Sequence, residues 1–286
     1  MMRTWLAVLG IGAFIAAAPT QSDDDVFTAN LGSHSVTRFD GQSGRFKAIV
    51  ADSTSGLRNG TGIAFGPDGH LYVSSSGNNQ ILRFDGETGK LLGVFVRDTI
   101  LFRPFSLAFG PDGNLYVSSG KSSNVLRYDG RTGQYLGVAA GSEHVRSPIG
   151  LAFGPDKRLY VANAGGKNVL RFDGTTGALL GIAGRDSLTF VSDVAFGPDA
   201  MLYASDASLR RVVRFDPSTG NFLGVVATLP EGSVPVGIAF DRQGRLWIGD
   251  FAKSQLFRLD VGASVPALVA SEGMGRPENL VVRPRR

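Results

Sequence analysis

The chain of 286 residues contains no cysteine. That excludes disulfide stapling, redox cofactor sites built on thiolates and a lipid-anchoring cysteine behind a leader. Histidine is nearly as scarce, with three in the chain: His34, His70 and His144. Net charge is small, 29 Lys and Arg against 25 Asp and Glu giving +4. No basic run is long enough to track a nucleic-acid backbone, and the closing "RPRR" reads as a solvated tail. Nucleic acid is therefore not an expected partner. The chain also lacks a "GxSxG" nucleophile elbow. Its one phosphate-loop-like stretch, "GETGKLLGVF", reads as a turn feeding a strand.

No apolar run reaches the roughly 20 residues that a membrane span needs. The nearest, "TWLAVLGIGAFIAAAP", follows a basic "MMR" and ends in small residues, the pattern of a secretory signal. Residues 1–22 are expected to be a signal peptide cut between Ala17 and Ser22, and 23–286 a single domain. The expected location is the bacterial periplasm or the medium, without a membrane span after cleavage, and the expected state is a monomer.

What is abundant is repetition. "IAFGPDGHLYVSSS", "LAFGPDGNLYVSSG" and "LAFGPDKRLYVANA" follow one another, and the Arg of "RFD" returns at Arg38, Arg83, Arg127, Arg171, Arg214 and Arg258. A period of about 44 residues marks a repeat fold with one supersecondary unit per copy. Each copy reads as four short strands: an apolar one, a "GPDG" turn, an alternating one, a polar loop, "LRFD", then a "DGxTG" turn into the last. Four strands per unit of this length make the blade of a β-propeller. The C-terminal "RPENLVVRP" matches the opening of a unit, "RPFSLAFGP", while the N-terminus begins at a second strand. The expected fold is thus an all-β, six-bladed propeller whose last blade is shared by both termini.

The "FGPDGxLYV…N…LRFD" pattern over residues 26–286 resembles the NHL-repeat propellers and, among them, the streptogramin B lyase-like and gluconolactonase-like proteins. The second kind implies Glu, Asn and Asp ligands around a central divalent metal. At the positions aligned with those ligands the chain carries Thr61, Phe105, Ile149, Ser192, Val236 and Glu278, so only Glu278 matches. The first kind implies histidine with a divalent metal. Here His70 falls on the opposite face, and His34 and His144 belong to blades across the ring. The resemblance leaves His144 and Glu278 as candidate catalytic groups.

The copies agree in both turns and disagree in the remaining loops, so binding is expected on the variable loop face. Two sets of side chains are expected to ring the channel there: Gly62, Ser106, Gly150, Asp193, Gly237 and Asn279, and Asn30, Ser75, Ser119, Asn163, Asp206 and Asp250. Arg103 and Arg146 lie in links beside them and suit an anionic small molecule or protein surface. Expected ligand-binding residues are Arg103, Arg146, Asn163, Asp193, Asp206, Asp250 and Asn279. Oxygen donors admit a hard cation, calcium or magnesium, at Asp193, Glu278 and Asn279; no other cofactor is indicated. The function read from these features is an exported binding scaffold. The alternative is a metal-dependent lyase or lactone hydrolase at the channel.

Overall fold

The computed structural model describes residues 24–283; the expected signal peptide and the end of the basic tail lie outside them. Six four-stranded antiparallel sheets form a ring, each labelled here from strand a at the axis to strand d at the rim. Blade one comprises Gly60–Phe65, Leu71–Ser75, Gln80–Phe84 and Leu91–Arg97. Blades two to five repeat it from Pro104, Pro148, Val191 and Pro235. The closing blade takes strand a from Pro277–Arg283 and strands b to d from Asp25–Asn30, Ser35–Asp40 and Phe46–Ala51. Asp25 pairs with Arg283 and Ala29 with Asn279, so the two ends of the described chain meet inside one sheet.

The repeated residues explain the ring. In "GPDGHLY", Asp68 accepts from the His70 N–H and the Tyr72 hydroxyl, while Gly69 takes the positive φ of 79° that completes the turn. Tyr72 then stacks edge-on against Phe109 of the next blade at 4.9 Å. The same step recurs at Tyr116–Phe153, Tyr160–Phe196 and Tyr203–Phe240. Each such pair contributes about 0.5–1.5 kcal/mol beyond the area it buries. At the last seam the partner in strand a is the smaller Val282, and a larger Trp247 fills the space with Val26, Phe39 and Leu280. Among the described residues no helix is long and apolar enough to cross a membrane.

Candidate functional site

The "GPDG" and "DGxTG" turns lie on one face; the b–c loops and the links between blades lie on the other, the variable face. Five of the six strands a converge there on a cavity of about 10 Å³, lined by Thr61, Phe105, Ser106, Ile149, Gly150, Ser192, Glu278 and Asn279. That is about the space of a single water. The reason is close approach of backbones. A β-carbon added at Gly62 would fall 2.2 Å from the Phe105 carbonyl oxygen, at Gly150 2.5 Å from Asp193 Cα, and at Gly237 2.6 Å from Asn279 Cα. A side chain at these glycines would therefore run into the neighbouring blade, whereas Ser106, Gly150 and Asn279 of the first expected ring do line the cavity.

Asp193 follows the same rule. One carboxylate oxygen accepts from the Ile238 N–H and from Asn279 Nδ2, both at 3.0 Å, and the other lies against Gly150. Burial pushes its pKa up to about 7 against the pull of those hydrogen bonds. Glu278 is placed differently. It lines the cavity, and no hydrogen bond reaches its carboxylate among the described residues. Burial raises its pKa to about 7, opposed by the positive charge of Arg103. Asn279 turns its amide nitrogen to Asp193, so these three side chains do not offer the converging oxygens that calcium or magnesium needs. Among the described residues no group of three His, Asp or Glu could hold a metal ion.

The second expected ring has another task. Ser75, Ser119, Asn163, Asp206 and Asp250 accept from the backbone N–H of Arg58, Phe102, Arg146, Phe190 and Val234. Each thus clamps the link that enters its own blade. Asn30 is spent within its blade on Thr28, Ser35 and Thr37. Short polar side chains at a strand end are backbone-capping chemistry, and that was the signal for this role. Asn163, Asp206 and Asp250 are therefore buried supports of the links, and of the three only Asp250 keeps a buried oxygen, Oδ2, without a hydrogen bond among the described residues. Serines near the axis are sewn in likewise, Ser118 donating to the Ile149 carbonyl and Ser205 to that of Val236 across the seams.

What the variable face presents outward is mostly cationic, with Glu143, Asp186, Glu231 and Glu272 exposed among the bases. Arg58, Arg97, Arg103, Arg146, Arg185 and Arg276 in the links are all exposed. Arg103 lies over Phe105 at 5.5 Å, Arg276 over Phe251 at 5.5 Å and Lys121 over Phe102 at 4.4 Å. The one ion pair on this face among the described residues is Arg211–Asp206 at 3.7 Å. The histidines are scattered. His34 Nδ1 accepts from the Asn59 N–H at 2.9 Å, His70 lies 3.8 Å from Asp85 on the turn face, and His144 is exposed in a link. No hydrogen bond joins the His144 ring to Glu278 or Asp193.

A ring of six four-stranded blades, closed by the two ends of the described chain and carrying variable links on one face, defines a six-bladed propeller of the NHL type. Its sequence matches the profile of the virginiamycin B lyase family over residues 45–285, and the chain belongs to that family. No curated protein matches it in sequence. Among solved structures it is similar to selenomethionine-substituted virginiamycin B lyase from Staphylococcus aureus, at 16% identity and TM-score 0.60 over 77% of this chain and 73% of that one. A catalytically inactive histidine-to-alanine form of that lyase, with quinupristin, matches at 12% identity and TM-score 0.65 over 90% and 89% of the two chains. A chain of the nidogen/laminin complex matches at 17% identity and TM-score 0.75 over 91% and 98%. At these identities the likeness is one of fold.

Proposed function

We propose that this protein is an exported binding module of the lyase family that engages an acidic ligand or protein surface through its variable face. The observation that carries the reading is the row of exposed link arginines that form no ion pair among the described residues, although Arg103 acts on Glu278 and Arg58 donates to the Ser53 and Leu57 carbonyls. Unpaired guanidinium groups suit carboxylate and phosphate groups of a partner, because their donors engage two oxygens at once. The nidogen/laminin complex is a precedent for a propeller of this shape within a protein assembly. Lyase chemistry receives less support. The axial cavity has room for about one water, and none of the three histidines lines it or is hydrogen-bonded to its carboxylate.

One observation favours the second reading, a metal-dependent lyase or lactone hydrolase. Glu278 is a carboxylate without a hydrogen-bond partner among the described residues, and burial raises its pKa to about 7 against the Arg103 charge, the range of a general base at neutral pH. Elemental analysis of protein purified without chelator, combined with a linearisation assay on quinupristin, separates the two. The expected result is no stoichiometric divalent ion and no turnover. Turnover that disappears in Glu278→Gln, with one metal ion per chain, would replace the binding reading by the enzymatic one. N-terminal sequencing of the protein from periplasm and medium tests export; retention of Met1 in the cytoplasm would refute it.

A further inference from the structure

One repeat position on the variable face carries more than unspecific positive charge. The residue clamped by the end of strand b is Arg58 in the link to blade one, Phe102 in the next, then Arg146, Phe190 and Val234. Its carbonyl is held as well, accepting from Gly77, Lys121, Gly165, Ala207 and Phe251 N–H groups in turn. The corresponding residue before the closing strand is Gly275, which accepts from Gly32. At five successive stations the backbone is therefore fixed through both its polar groups, with the side chain exposed at the first four and half-buried at Val234, and with the Arg58 guanidinium steadied by the Ser53 and Leu57 carbonyls. Arg58 and Arg146 are exposed, and Phe102 and Phe190 are 38% and 43% exposed. The order around half of the ring is cation, aromatic, cation, aromatic.

A rigid row of this kind recognises a partner that alternates likewise. The aromatic members also narrow the class. Phe102 has one face under the Lys121 ammonium, and Phe105 and Phe251 lie under Arg103 and Arg276. Rings capped by cations are poor platforms for stacking a base or a sugar, which need an open face, and Phe190 is the one ring of these four without such a cap among the described residues. What remains is apolar side and edge surface, joined by Ile100 and Leu209, each also exposed at 40% and 44%. Such surface packs against apolar side chains, while the neighbouring guanidinium groups take carboxylates. Acids on this face, such as Asp98 and Glu143, form no ion pair with Arg58 or Arg146 among the described residues.

We infer that the row Arg58–Phe102–Arg146–Phe190 docks an acidic polypeptide segment in which carboxylate and large apolar side chains are interspersed. This rests on the variable face being the binding face. Its rigidity lowers the ordering cost that an exposed loop would add to binding.

The test measures the affinity of the mature chain for three polymers by fluorescence anisotropy: poly-L-glutamate, a glutamate–tyrosine copolymer and heparin. The copolymer is expected to bind about 10-fold more tightly than poly-L-glutamate, the order of one buried aromatic side chain. Phe102→Ser with Phe190→Ser should abolish that preference and leave binding to poly-L-glutamate unchanged. Arg58→Glu with Arg146→Glu should weaken both by at least about 10-fold. The single substitutions, each expected to give part of the effect, serve if a double variant does not fold. A copolymer bound no better than poly-L-glutamate, a preference that survives loss of both phenylalanines, or heparin bound most tightly would each overturn the inference while the face still bound anions. Polymer binding indifferent to the arginine reversals would overturn the proposed function as well.

Discussion

The two faces of the ring are built from the same repeat and handle charge in opposite ways. On the turn face most acids and many bases are consumed by the fold, while Arg45, Lys90, Arg131 and Lys157 are exposed without an ion pair among the described residues. Asp85, Asp129 and Asp173 each accept from two backbone N–H groups and a threonine hydroxyl of their own turn. Arg242 pairs with Asp24 and Arg283 with Glu87, and Arg258 donates to the Gln42 carbonyl, tying the closing blade to both neighbours. On the variable face the carboxylates of Asp206 and Asp250 are turned inward to hold backbone, and the arginines are turned outward. A side chain that serves the scaffold has its partners inside the molecule. One kept for a ligand, as proposed for the link arginines, would lack them until the ligand arrives.

The sharpest way to break this comparison is to exchange roles. Arg245 is buried on the turn face, bonded to Asp241 at 2.6 Å and to the Gly41 carbonyl across the closing seam at 2.6 Å. Arg245→Ala leaves Asp241 as an uncompensated buried charge, and urea unfolding should show a loss of about 3–5 kcal/mol. Next in size is Glu278→Gln. The folded-state pKa of Glu278 lies near 7, above its ordinary 4.5, so the native state holds the proton more firmly than the unfolded chain. The protein is therefore most stable with Glu278 protonated, and this contribution is lost as pH rises from 4.5 through 7. The variant should match the wild type below pH 4.5 and exceed it by about 1–3 kcal/mol at pH 8, as read from paired melting curves.

Smaller effects separate the faces further. Ala200 occupies the glycine position of its turn at φ 60°, and Ala200→Gly should raise stability by about 1 kcal/mol in the same unfolding measurement. Arg103→Glu should move it least, by less than about 0.5 kcal/mol when measured below pH 4.5, because the side chain is exposed and the Glu278 carboxyl on which its charge acts is then protonated. A loss at Arg103 as large as that at Arg245 would mean that the two faces do not divide scaffold from binding at all.

The ring was readable because its units are periodic at a fixed length and each turn states its chemistry in Gly, Pro and Asp. Even the seam was readable at both ends, since "NLVV" occupies the place of "SLAF". The centre was not. Whether a residue of strand a faces the axis or the next blade depends on how closely the first strands approach, and periodicity alone does not give that distance. Three glycines at Gly62, Gly150 and Gly237 carried the hint, for glycine inside a strand often marks a backbone pressed close by. The Ser, Asn and Asp at the ends of strands b were misplaced as channel lining for a related reason. Their polarity was visible, but the N–H groups that they hold belong to links some 17 residues earlier in the chain. The alternating Arg and Phe of the links became visible only when those clamps put the links in register.

The pairing of Asp25 with Arg283 has a further consequence. The strand that completes the innermost wall comes from the far end of the sequence, and Trp247 has no seat until Leu280 and Val282 arrive. The five blades of residues 60–270 thus form an arc with two unpaired flanks, whatever their own quality of packing. Wholeness of the chain becomes a condition of the shape itself. A polypeptide cut short before Pro277 is an open ring with a missing keystone, and any surface that depends on links placed all the way round is lost with it.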